Sequence, residues 1–151
     1  MSRWAVGADV IEELLASDAL QRIQGAQTDG QPLLDKAVRT LASSAAIQAA
    51  DPDSSYTLAY DAARFACTAL LAQQGLRPTT KGGHYAVERA MRAQFKGVFH
   101  AFGTLRRRRH ELEYPTARDA DVTPDEADQA LDAANGIVEA ATKLLPHLSF
   151  F

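Results

Sequence analysis

The stretch Phe95-Lys96-Gly97-Val98-Phe99-His100-Ala101-Phe102-Gly103-Thr104-Leu105-Arg106-Arg107-Arg108-Arg109-His110-Glu111-Leu112-Glu113-Tyr114-Pro115 runs from an apolar stripe into a charged helix end. Phe95, Val98, Phe99, Phe102 and Leu105 recur in steps of three and four, the spacing that keeps side chains on one helical face. Pro115 disfavours helical backbone at Tyr114 and so stops the element. Four adjacent arginines cannot share a face, because successive helical residues point about 100° apart. Arg106, Arg109 and Glu113 fall on one stripe, with His110 and Tyr114 on the next. One more turn of the apolar stripe lands on Arg109, which is either an edge residue paired with Glu113 or part of an anion-holding groove.

The same periodicity reads outward in both directions. Upstream, His84, Val87, Met91, Phe95 and Val98 predict one long helix, or two nearly continuous ones, from about His84 to Glu113, with Gly97 and Gly103 marking a break or a close contact. The segment Leu76 to Gly83 reads as a connector, without the ending of a phosphate-binding loop. Before it, Ser54 to Gln74 is a helix rich in small residues, stopped by Gly75. A helix from about Pro32 to Ala50 carries Leu34, Val38, Leu41 and Ala45, and a first helix carries Val10, Ile11, Leu14, Leu15, Leu20 and Ile23 to near Gly25. Downstream, Thr123-Pro124-Asp125-Glu126 is a capped helix start, and Ala127, Leu131, Ala134, Val138, Ala141 and Leu145 line that last helix as far as Pro146. With no alternating strand pattern, the expectation is all-α: an antiparallel bundle of about five helices forming a single domain over residues 1–151.

Composition narrows the function classes. A chain of 151 residues, 46% hydrophobic and 23% charged, is long enough for one substantial core. No run approaches the roughly 20 apolar residues of a membrane span, and the start of the chain lacks a signal-peptide core, so no membrane role and a cytoplasmic location are expected. The single Cys67 excludes an internal disulfide or a cysteine-based zinc site, and no histidine–carboxylate grouping has ligand spacing, so neither a metal nor a cofactor is expected. The formal net charge of −3 hides a split: residues 77–110 hold nine Lys or Arg against the single acid Glu88. Such a segment either steers a polyanion or meets the acidic face of a second copy. His84, His100 and His147 read as structural, His84 as a cap or core-edge residue.

The run Tyr60-Asp61-Ala62-Ala63-Arg64-Phe65-Ala66-Cys67-Thr68-Ala69-Leu70-Leu71, Gly75, then Gly83-His84-Tyr85, then Arg106-x-x-Arg109-x-x-x-Glu113-Tyr114 and a final amphipathic helix resembles the HEPN superfamily over about residues 31–145. The resemblance implies a small helical bundle, a homodimer, and RNA as the target of a toxin-type, metal-independent endoribonuclease. A nucleotidyltransferase-type antitoxin is an implied partner, with Tyr114 as acceptor of its modification. The alternative it implies is a non-catalytic module that dimerises and binds a protein partner or nucleotide. In the RNase members a motif arginine and a polar residue precede a histidine by four to six intervening positions. Arg109 and His110 match its start, but Tyr114, Pro115 and Thr116 stand in the histidine slots. The residues carried over are Arg109, His110 and Tyr114 for catalysis, Arg106 and Arg109 for phosphate, and Glu113 as the partner of Arg109. Metal-free RNA cleavage needs a base near neutral pKa, which histidine supplies and tyrosine, at about 10, does not.

Overall fold

A computed structural model describes residues 4–116 and 121–151. The helix that organises them is α3 (Pro52–Gln73), buried along most of its length through Ala59, Tyr60, Ala62, Ala63, Ala66, Cys67, Ala69, Leu70 and Leu71. It begins where the Asp51 side chain accepts from the Ser54 backbone N–H at 3.1 Å, with Pro52 in the first turn, and it ends at Gly75, whose φ of 76° is left-handed. Small residues let its neighbours approach closely. Against α2 (Gln31–Ile47) the contact includes two buried hydroxyl–carbonyl bonds: Ser44 Oγ donates to Ser55 O at 2.7 Å, and Ser55 Oγ donates to Ser44 O at 2.9 Å. Around the rest of α3 pack α4 (Gly83–Gln94), α5 (Ala101–Glu113) and α6 (Pro124–Leu144); with a helix before α2 the described residues hold six α-helices, against about five expected, because the span His84–Glu113 is divided into α4 and α5. The Thr123 side chain caps α6 by accepting from Glu126 N at 3.1 Å.

The structure corrects the sequence reading in four places. The first helix, α1 (Ala8–Ala16), stops short of Gly25, because Asp18 adopts left-handed backbone with φ 61°. Leu20–Arg22 is a strand, β1, paired antiparallel with β2 (Leu76–Pro78) in the segment expected to be only a connector, with Gln21 opposite Arg77. The step of five from Leu15 to Leu20 already broke the helical period, but the partner strand lies 56 positions away and local pattern does not reach it. Second, of the two expected forms the structure has two helices, α4 and α5, and the apolar stripe does not run through Val98. Phe95 is extended, Gly97 has φ 69°, and a single turn of 3-10 helix over Gly97–His100 joins them, leaving Val98 45% exposed instead of on the buried stripe. Third, Ala37 rather than Val38 faces the core from α2. Fourth, Ala130 and Ile137 are buried on α6, whereas Leu131 is only partly covered.

Among the described residues no helix is long and apolar enough to cross a membrane. Cys67 is fully buried, and burial pushes its thiol well above the ordinary value, so it packs as a small apolar side chain.

Candidate functional site at the charged end of the bundle

The four arginines of α5 go to different places. Arg106 Nε donates to Glu88 on α4 at 2.8 Å, and Arg107 and Arg92 reach the same carboxylate at 3.4 Å. Glu88 is only 6% exposed, and Gly103 makes room for it: a β-carbon there would collide with the carboxylate. The one acid of the basic segment is therefore the centre of an ion cluster that ties α4 to α5. Arg108 is the least exposed of the four; its Nε donates to Glu126 on α6 at 2.6 Å and its Nη1 to Glu111 at 3.1 Å. Arg109 pairs with Glu113 one turn on, and Glu113 is 43% exposed.

Arg109 also faces inward. Its guanidinium carbon lies 5.8 Å from the centre of the Tyr60 ring, with Tyr60 fully buried and stacked on Phe102 at 5.5 Å. The Tyr60 hydroxyl is hydrogen-bonded to Nδ1 of His84 at 2.7 Å. Burial pushes the Tyr60 phenol far above its ordinary value. Burial, followed by the charges of Arg64 and Arg109, pulls His84 below its own; Asp61 and Glu113 oppose this. Arg64, one turn beyond Tyr60, pairs with Asp61 at 3.7 Å and keeps a buried Nε–H without a hydrogen-bond partner. On the outer side of Arg109 an open groove of about 480 Å³ runs between the starts of α3 and the end of α5, lined by Asp53, Ser54, Thr57, Leu58, Arg109, Leu112 and Glu113.

A model of the HEPN domain matches residues 31–144, which is α2 to α6. The chain belongs to the HEPN family. Nothing among curated proteins or solved structures matches it. In this HEPN chain α1 and β1 lie outside the matched region and are joined to it through β2.

Of the residues singled out in the sequence, Arg109 and Glu113 are adjacent at this corner, and Arg106 stands one turn back on Glu88, with its guanidinium 5.3 Å from the Tyr85 ring centre. His110 and Tyr114 lie against each other, ring centres 5.0 Å apart, both exposed at the end of α5. Sequence reasoning passed over Tyr60, Arg64 and His84 as site residues. A tyrosine and an arginine one turn apart on an otherwise alanine-rich buried helix were the available signal, since a buried phenol demands a partner.

Proposed function

We propose that this HEPN protein acts on RNA, as a metal-independent endoribonuclease of the toxin type working in the cytoplasm. The observation that carries this reading is the setting of Arg109, held over Tyr60 beside His84, at the edge of an open groove, with a half-exposed carboxylate as its ion-pair partner. A backbone phosphate can displace Glu113 from Arg109 at small cost, because Glu113 returns to water. Arg106 stands one turn back on the same stripe, its Nε bonded to Glu88. His110 and Tyr114, exposed at the end of α5, complete the site across a homodimer cleft. RNA cleavage without metal, compared between the wild type, Arg109→Ala and Tyr114→Phe at matched fold and oligomeric state, tests it. Loss of cleavage in Arg109→Ala supports the reading; intact dimers of wild type that cut none of several RNAs overturn it.

A second reading has its own support. Arg106, Arg107 and Arg108 are already neutralised by Glu88, Glu111 and Glu126, and the histidine slots after Arg109 hold Tyr114, Pro115 and Thr116. Here the chain is a non-catalytic module that dimerises and binds a protein partner or nucleotide. A nucleotidyltransferase-type partner that modifies the exposed Tyr114 fits this form. A mass increase on Tyr114 after co-expression with an active partner is the expected result, and an unmodified Tyr114 counts against it.

A further inference from the structure

Residues from three helices surround the buried Tyr60: His84 from α4 accepts from its hydroxyl, the Arg109 guanidinium from α5 lies over its ring, and Arg64, one turn on along α3, lies with its guanidinium 4.5 Å from the Phe65 ring centre. The Tyr60–His84 bond fixes what His84 presents. A phenol is a stronger acid than a neutral imidazole, so the shared hydrogen belongs to Tyr60, and Nδ1 of His84 accepts it. A neutral imidazole carries one N–H, which must then sit on Nε2. This tautomer is assigned from the acidity of the partner. His84 is thus held as an uncharged donor in the field of the Arg64 and Arg109 charges. The carboxylates present, Asp61 and Glu113, are each engaged by an arginine of their own helix. The buried Arg64 Nε–H has no acceptor. Such a corner keeps a buried donor that its own two carboxylates do not satisfy.

We infer that Arg64, His84 and Arg109, with Tyr60 as the positioning residue, form a phosphate-recognition site whose ligand is an RNA phosphate, either a backbone diester or a terminal monoester. The RNA identity of the ligand rests on the function proposed above; phosphate binding does not. A bound phosphate replaces part of the repulsion His84 feels from Arg64 and Arg109 by attraction, so the imidazole binds a proton more readily when the site is filled. The groups that face His84 are Tyr60, Asp61 and Arg64 from α3 and Arg109 and Glu113 from α5. Affinity for a diester, which does not itself titrate near neutrality, therefore rises as the pH falls through the interval between the free and bound pKa values of His84.

The test is nitrogen-15 spectroscopy of the His84 ring in the whole protein, titrated with inorganic phosphate, adenosine 3′-monophosphate, the dinucleoside monophosphate ApA, and adenosine. The free protein should show a neutral ring with its hydrogen on Nε2. The phosphate-bearing probes should shift that resonance saturably and adenosine should not. Arg64→Gln and Arg109→Gln should each weaken the response about tenfold, the loss of one charge-assisted bond. Tyr60→Phe should mix the two tautomers; a purely structural role would leave the tautomer unchanged. If Tyr60→Phe does not fold, the part-exposed Arg64→Gln still decides. Tighter binding of ApA than of the monophosphate identifies the backbone as the source, and the reverse order identifies a chain end. A hydrogen on Nδ1 in the wild type, an equal response to adenosine, or an unchanged affinity in Arg64→Gln overturns the site. RNA cleavage without a phosphate response at His84 removes this inference and leaves the proposed function standing; a phosphate response without RNA binding or cleavage does the opposite.

Discussion

Arg106 and Arg109 stand three residues apart on the same helix, yet they meet opposite surroundings. Arg106 ends on Glu88, whose side chain is 6% exposed and is shared with Arg92 and Arg107. Arg109 ends on Glu113, 43% exposed, and on the face of Tyr60. A buried carboxylate cannot be left without its cations, because its desolvation has already been incurred. An exposed one can, because water takes over. Identical side chains are therefore structural at one corner and exchangeable at the other, and the burial of the partner acid makes the difference.

The comparison is broken most directly by Glu88→Ala. Its removal leaves a partly buried arginine cluster unpaired and should cost about 3 kcal/mol, a fall in Tm of roughly 10 °C for a chain of this size. Thermal unfolding followed by circular dichroism checks this, and a loss no larger than that of Glu113→Ala would show the two corners to be equivalent. Gly103→Ala should cost about 2 kcal/mol, because the new β-carbon occupies the place of the Glu88 carboxylate. In the double variant Gly103→Ala/Glu88→Ala the two costs should add to less than their sum, since the colliding group is gone; strict additivity in denaturant unfolding would place the Gly103 effect elsewhere.

The Tyr60 corner sharpens the contrast through pH. His84 is held below its ordinary value in the folded protein, so the unfolded chain takes up a proton first as the pH falls. Its contribution to stability is whole above about 6.5 and is lost as the pH drops through the folded value. Stability measured between neutral and mildly acidic pH should decline more steeply in wild type than in His84→Gln, and parallel curves would assign the decline to other groups. The smallest effect belongs to Glu113→Gln. Removing an exposed pair one turn apart should change stability by under about 0.5 kcal/mol, while releasing Arg109 and tightening phosphate binding a few-fold. Weaker binding in that variant would mean that Glu113 orients Arg109 for its ligand.

Much of the bundle was legible in the sequence because its signals are local. Thr123-Pro124-Asp125-Glu126 names its own helix start, and the threonine cap is found there. Gly75 and Asp51 punctuate α3 in the same way. The stripe that ran through Val98 failed because the backbone is already extended at Phe95 and Lys96 and then left-handed at Gly97, and a period count does not register a backbone turn. At the site, Arg109 with Glu113 and His110 with Tyr114 are one-turn neighbours that spacing alone brings into reach. Tyr60 and His84 are 24 positions apart, and no periodicity links them.

By itself the sequence determined the helical class, most helix ends, the break-prone glycines and the resemblance that the match over residues 31–144 bears out. These depend on interactions within a few residues, where the spacing of the chain is the geometry. Only the tertiary structure decided which arginine is locked and which is exchangeable, where β1 finds its partner, and that His84 belongs to Tyr60. Those outcomes depend on burial and on contacts between distant segments, and the cost of leaving a charge or a phenol unpaired arises only once packing has removed the water.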